Sequence, residues 1–386
     1  MNVHLDPTKR HDAVFLFDVE NGNPNGDPDN GNMPRFDPNT MIGLVTDGAI
    51  KRKVRDYAQL VHDKEIFIQS QFSLNNLILD AYRKTGVEPP QVQVSNDDFR
   101  GWLQENEANA LGLYTMDGST LTYLGESMKD NDIKKALGGI SEEDSDKEQK
   151  KLLEILAKDI AKAGKTGVSR QGKSKAREEL AKRYYDIRMF GAVLSTGLNA
   201  GQVRGAMQVT PAKSINPIFP MDLSITRVAI TKEADRDRKE TEMARKPMIP
   251  YGLYRAHIFY NPFLSAKTGA EIKYSDLEVF WDALCNMFDF DRSAARGEMA
   301  TRGLYVFTHE NQKGNAPAHK LLSKVRVKTK HGSQGNEDRW FPKGIDDYSI
   351  NVDLDEITLS GNRKVRIVES ESDIVKNTVF LTRLAE

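Results

Sequence analysis

The chain has 386 residues, 39% of them hydrophobic and 29% charged, and its 55 Lys and Arg against 56 Asp and Glu leave a formal net charge of −1. That is the composition of a globular chain long enough to bury a sizeable core. A lone cysteine, Cys285, excludes an intrachain disulfide framework or a cysteine-built zinc site, and no apolar run approaches the roughly 18 residues of a membrane span.

The segment Met1–Asp6 lacks a basic stretch followed by an apolar run, so no secretory signal is expected and a reducing cytoplasm is the expected compartment. Ala13-Val14-Phe15-Leu16-Phe17 predicts a strand over 11–19. It should stop at the turn-rich run Asn21 to Asn32, where Gly and Asn permit positive φ and Pro and Asp fix turns; no regular element is expected inside it. Thr46 or Asp47 can cap a helix over about 47–60, with Ile50, Val54 and Tyr57 on one face and Lys51, Arg52 and Arg55 facing outward.

Residues 62–190 read as an insertion of helices (65–85, 97–110, 127–138, 147–163 and 173–190). β character returns at Ala192-Val193-Leu194 and continues through the glycine-punctuated Gly201-Gln202-Val203-Arg204-Gly205 and Ile225 to Ile230. Residues 231–247 are charged and aperiodic, a mobile loop or protruding arm. Tyr251–Tyr260 alternates as a strand, and Tyr274–Phe290 is an amphipathic helix capped by Ser275 with Glu278 three residues on. Leu304–Thr308 and Ser323–Thr329 read as strands, and 352–358 with 364–368 as a hairpin across Gly361. The order is that of an α+β fold, compatible with a ferredoxin-like or RRM-like palm carrying long insertions.

Near-neutrality overall conceals uneven charge. Residues 51–55 carry four cations, 162–190 nine cations against three acids, and 320–330 five cations and no acid, while 141–148 carries five acids and one lysine. Such runs are either solvated surface or the footprint of a nucleic acid. Lys324, Arg326, Lys328 and Lys330 alternate with Val325, Val327 and Thr329. They make either an edge strand guarded by lysines or a groove tracking a phosphate backbone.

Several motifs fail their context. Gly167 to Ser174 has the P-loop spacing, but a Lys-rich helical pattern precedes it where a buried strand is required. The Asp/Asn loop 21–32 does not place its acids and glycine as a calcium loop does. The seven histidines lack a zinc spacing.

Three groups of residues carry a family signature. They are Asp18 to Pro28; Gly43 to Asp47 with Lys51 to Arg55; and the later runs Phe190 to Leu194, Gly201 to Gly205, Ser224 to Arg227 and Asp291 to Arg296. Together they resemble the repeated backbone subunit of CRISPR Cascade-type surveillance complexes, of the RAMP superfamily, most similar to the type I-C subunit. The matching motifs span about 12–320.

The resemblance implies a modified RRM palm (1–61 and 189–386), a helical insertion over 62–188 and a thumb arm over about 215–250. It implies a non-catalytic subunit that polymerises along CRISPR guide RNA, displays it for pairing with a target DNA strand, and works with other Cascade subunits and a recruited nuclease-helicase. No cofactor or metal is implied. The RNA contacts it assigns are Arg35, Lys51, Arg52, Arg55, Gln202, Arg204, Arg227, Met243 and Arg245, with Met243 wedged against a base. The alternative is a metal-dependent endoribonuclease backbone subunit, as in type III relatives, with Asp18, Asp27, Asp29 and Asp37 as candidate acids.

Overall fold

The computed structural model describes residues 3–385 apart from 71, 108, 111, 140–146, 165–167, 195–199, 230–241, 268, 331–340, 354–356, 359–363 and 372–378, and the side chains of 354–385 are not described. Most of the acidic run 141–148, Gly167 of the P-loop match, Gly361 and the greater part of 231–247 lie outside the described residues. Helices and strands are mixed, as an α+β fold requires. The chain forms two compact units, one of Met1–Asp63, Met207–Pro262 and Lys273–Glu386, the other of Lys64–Ala206 with Phe263–Ile272.

The first unit is built on the strand His11–Gly22. It lies between Glu242–Tyr260 and Glu298–Thr308, antiparallel to both. Residues 11–19 are all buried because both faces of the sheet are covered. On one face Phe15 stacks on Phe288 of the helix Tyr274–Phe290 and Phe17 packs against the same ring at a tilt. On the other, Val14 and Leu16 meet Leu321 and Leu322 of the short helix Ala318–Leu322 and Val325 of the hairpin Val325–Thr329/Tyr348–Val352. A short apolar strand with no polar alternation is what burial on both faces demands.

The ladder between His11–Gly22 and Glu298–Thr308 slips at one point. Leu16 pairs with Gly303 and Phe17 with Thr301, leaving Arg302 as the extra residue of a bulge. Bulges re-aim side chains. Here Arg302 Nε donates to the buried Asp18 carboxylate at 2.7 Å, and the Tyr251 hydroxyl donates to the same oxygen at 3.0 Å. Burial still raises the Asp18 pKa against the pull of Arg302.

Two expectations are corrected here, and a third gains detail. The turn-rich run is not without regular structure: Gly26–Asp27 pairs antiparallel with Met33–Pro34 around a 3₁₀ turn, Pro28–Asn30. Asp27 accepts from Asp29 N, and Gly31 closes the turn at φ 55°. The cap of Tyr274–Phe290 lies earlier than Ser275 and Glu278, with the Asp276 carboxylate accepting from Lys273 N. The arm is a ribbon at its described end: Met221–Arg227 pairs with Glu242–Met248, continuous with the strand through Tyr260.

The second unit is less purely helical than expected. Its helices Leu74–Lys84, Asp97–Glu105, Asp130–Gly138, Lys147–Ala163, Arg170–Arg183 and Tyr185–Phe190 are joined by a three-stranded sheet of Gln91–Gln93, Thr120–Tyr123 and Tyr114–Asp117. Those strands are three or four residues long and polar on one face, too short for period-2 alternation to stand out. The segment 189–206 packs in this unit, where Leu194, Ala200 and Val203 share a core with Tyr82, Leu180 and Tyr184. Gly172-Lys173-Ser174 lies inside Arg170–Arg183, capped by Ser169, so the P-loop match is a helix start preceded by another helix.

The chain's first turn is pinned by His11, whose Nε2 donates to Asp6 O at 2.9 Å and whose Nδ1 accepts from Thr308 Oγ1 at 3.0 Å. Burial and the nearby His309 hold the His11 pKa down to about 4, and burial with the neighbouring His11 holds His4 down to about 3. The unfolded chain therefore binds protons that the folded chain refuses, and stability is complete above about pH 6.5 and declines as pH falls towards 4. His11→Asn should make urea-derived stability shallower over that window, by up to about 1.4 kcal/mol per pH unit. An unchanged slope would show that His11 is not the proton acceptor.

Candidate nucleic-acid interface

Three distant segments of the first unit converge on one polar cleft. They are the turn-rich loop after the central strand, the basic helix Asp47–His62, and the loop 291–296 that follows Tyr274–Phe290. Loop and loop are tied by Asn23 N donating to Ala295 O at 2.9 Å. Loop and helix are tied by Thr46 N donating to Asn25 Oδ1 at 2.9 Å, while Thr46 Oγ1 caps the helix at Ala49 N. A Cβ on Gly22 would lie 1.9 Å from Arg296 O, so only glycine permits this approach. The cleft encloses about 330 Å³ among Asn23, Asn25, Arg52, Lys53, Asp291 and Arg296.

At its floor the Asp291 carboxylate is shared: Lys53 Nζ donates to one oxygen and Arg296 to the other. Lys53 is 7% exposed along its side chain. Burial lowers its pKa, while Asp291 raises it in opposition.

The basic helix is less cationic than its sequence suggests. Lys51 pairs with Asp47 at 2.8 Å, Arg52 with Asp56 at 2.9 Å, and Lys53 with Asp291. Arg55, expected to face outward with Lys51 and Arg52, is buried, with 7% of its surface exposed. At about 100° per residue, Arg55 lies roughly 60° from Ala58 and 40° from Lys51. Both of those side chains are largely covered, so the buried arc extends past the stripe Ile50, Val54 and Tyr57 over this flank. Of the three, Arg52 projects furthest, at 48%.

Arg35 stands on the loop's return, its Nη1 3.3 Å from Asp27 and its Nε buried without a hydrogen-bond partner among the described residues. Gln202 and Arg204 belong to the other unit. They are exposed on Gly201–Arg204, paired with Gly191–Leu194, with Val203 turned into the core.

On the ribbon, register decides which side chains share a face. Met243 pairs with Thr226, Arg245 with Ser224 and Arg227 with Glu242. Directly paired residues point the same way and neighbours alternate. Met243 and Arg245 thus share one face, with Arg245 3.1 Å from Asp222. Arg227 lies on the opposite face with Leu223 and Ile225. Met243 is 81% exposed, a large apolar side chain held in solvent on a paired strand. Beside the ribbon's root, Phe219 and Phe341 form an exposed edge-to-face pair with centroids 6.1 Å apart, which no sequence pattern links.

The basic strand has its predicted alternation. Val325 is buried and Arg326, Lys328 and Lys330 are exposed, but Asp353 pairs with both Lys324 and Arg326, at 3.0 and 3.3 Å. Three of the four candidate acids have structural partners of their own: Asp18 holds Arg302 and Tyr251, Asp27 holds Arg35, and Asp37 accepts from Asn39 N and Thr40 Oγ1, while Asp29 lies exposed on the 3₁₀ turn.

Sequence reasoning left Lys53, Asp291 and Arg296 out of the site. The signal was present, since Lys53 lies in the basic run and the other two bound the 291–296 motif; what it lacked was the fold that brings them together.

A family model described as CRISPR-associated protein Cas7 matches residues 9–353. A CRISPR-associated protein Cas7 of Haloferax volcanii is 44% identical over 50 residues, which are 13% of this chain and 15% of the relative, so the match spans about a seventh of that protein. Among solved structures, a CRISPR RNA-guided surveillance complex in a pre-nicking state is 16% identical, with 75% of this chain and 73% of the other covered and a TM-score of 0.38. A type III-B Cmr-beta complex bound to cognate target RNA is 12% identical, with 77% and 61% covered and a TM-score of 0.31.

Removing the shared carboxylate strands a buried ammonium. Asp291→Ala should cost about 3 kcal/mol in urea unfolding. Adding Lys53→Met to it should restore part of that loss, because no buried charge then lacks its partner. A double variant as unstable as Asp291→Ala alone would contradict the pairing.

Proposed function

The chain belongs to the CRISPR-associated protein Cas7 family, and from that premise we propose that it is a guide-RNA-binding backbone subunit of the type I-C kind. Several copies polymerise along one CRISPR RNA in the cytoplasm and present it to a target DNA strand, alongside other Cascade subunits and a recruited nuclease-helicase. The first unit serves as the RRM-like palm, the ribbon as the thumb, and the second unit as the insertion.

The observation that carries this reading is the convergence of the asparagine-rich loop, the basic helix and the 291–296 loop on one cleft. Its cations are held by fixed acids, so their positions are set before RNA arrives. Arg52 and Lys51 offer charge to phosphate and Asn25 offers its amide, held in place by the buried Asn23, a set that reads backbone and leaves base edges free. Arg55 supports the helix from within. The ribbon face with Met243 and Arg245 supplies an apolar tip and a cation for a displaced base and its phosphate. Gln202, Arg204, Arg35 and Arg227 are further RNA contacts in this reading.

The subunit does no chemistry of its own; the endoribonuclease alternative of type III relatives is not favoured. Guide-loaded protein incubated with complementary RNA and magnesium should leave that RNA intact. Regularly spaced cuts lost on Asp27→Asn or Asp29→Asn would reverse the assignment.

Phosphate contacts are tested by salt. Lys51→Ala with Arg52→Ala should weaken guide binding alike for unrelated sequences. It should also flatten the slope of log affinity against log salt by about 0.7 per lost contact. Unchanged slope and affinity would remove this helix from the interface.

A further inference from the structure

The small sheet of the second unit has two unlike faces. Val92, Tyr114, Met116, Leu121 and Tyr123 turn into a hydrophobic core. The opposite face is wholly hydrogen-bonding: Gln91 and Gln93 on one strand, Thr120 and Thr122 on the middle one, Thr115 and Asp117 on the third. A polar sheet face usually meets open solvent. This one lies in a cleft of about 370 Å³, bounded also by Asn75, Asn76, Leu79 and Arg83 of the helix Leu74–Lys84. Thr115 and Thr122 at its base are 1% and 3% exposed. That volume falls in the range of small-ligand sites, roughly 300–1,000 Å³.

The lining is specific in kind. Asn75, Leu79 and Arg83 recur at i, i+4 and i+8, so one helix stripe carries an amide, an apolar side chain and a guanidinium into the cleft. Gln91 Nε2 donates to Thr122 Oγ1 at 3.1 Å, and Asn75 Nδ2 to Thr115 Oγ1 at 3.4 Å. These bonds orient the amides and leave Gln91 an acceptor oxygen and a second N–H. Among the described residues neither Arg83 nor Asp117 has an ion-pair partner. One cation and one acid on the same cleft give no net charge for a free anion. Amides, hydroxyls and a carboxylate offer matched donors and acceptors to a planar neutral ring, and guanidinium planes stack on such rings.

We propose that this cleft takes one unpaired nucleotide of a single strand, with the base edge against Gln91, Thr122 and Asp117 and its plane against Leu79 and Arg83. The site goes beyond guide binding by the first unit, and its chemistry stands independently of that reading.

The test uses the full chain, with and without guide RNA, and a short labelled single strand carrying one nucleotide with a photoreactive diazirine, whose carbene inserts into any neighbouring side chain. Adducts should map to peptides spanning 75–93 or 115–122. Their yield should fall at least about tenfold in Gln91→Leu/Thr122→Val and in Arg83→Ala, while guide binding measured in parallel is retained. Arg83 is exposed, so its variant decides the matter even if the double variant fails to fold. Adducts confined to other segments, or yields unchanged in Arg83→Ala, would overturn the proposal. So would a free mononucleotide that competes as well as the strand does.

Discussion

The carboxylate of Asp291 holds the candidate interface together. It receives Lys53 from the basic helix and Arg296 from its own loop, and that loop is stitched to the asparagine-rich run through Asn23 and Ala295. A buried ammonium without a partner is expensive, so the pair fixes the helix against the loop as well as neutralising charge. The glycine at position 22 is part of the same constraint, because any side chain there would strike Arg296 O. The clamp sets the helix against the loop, and local pairs then aim what the cleft can offer a polyanion: Asp56 directs Arg52 and Thr46 N seats Asn25.

The net charge of −1 takes on a different meaning in this light. Asp47, Asp56, Asp291 and Asp353 sit on the cations of the basic helix and the basic strand. These acids keep long side chains from exploring many rotamers, and they lower the local field that each run would otherwise create. A surface built so is ordered but only modestly attractive, and a long polyanion would gain from many such contacts in series. This suits a subunit proposed to act in multiple copies, where repeated modest contacts add along the strand and like-charge repulsion between copies stays small.

Much of this was legible in the sequence where burial and capping are local. The central strand announces itself by its apolar run, the helix Asp47–His62 by its apolar stripe and its Thr46 cap, and the helix Tyr274–Phe290 by its apolar period, though not by its cap. The hairpin inside the turn-rich run and the three-stranded sheet were hidden, because two to four residues do not establish a period. The placement of Arg55 was hidden for another reason: a helical wheel gives the apolar stripe but not how far neighbouring elements wrap around it. The bulge that turns Arg302 onto Asp18, and the ribbon register that separates Arg227 from Met243 and Arg245, exist only once strands have partners. The site motifs were visible as separate runs. Their meeting point was set by long-range contacts between residues more than two hundred positions apart, such as Lys53 with Asp291.

The most direct measurement is the nucleic acid that accompanies the protein out of the cell. The chain should be purified from cells carrying a CRISPR array, at moderate salt, and its bound RNA sized and counted against protein. Short RNA of uniform length, one strand to several copies of the chain and released as salt rises, is the expected result. A monomer free of nucleic acid, or RNA of random length and sequence, would contradict it.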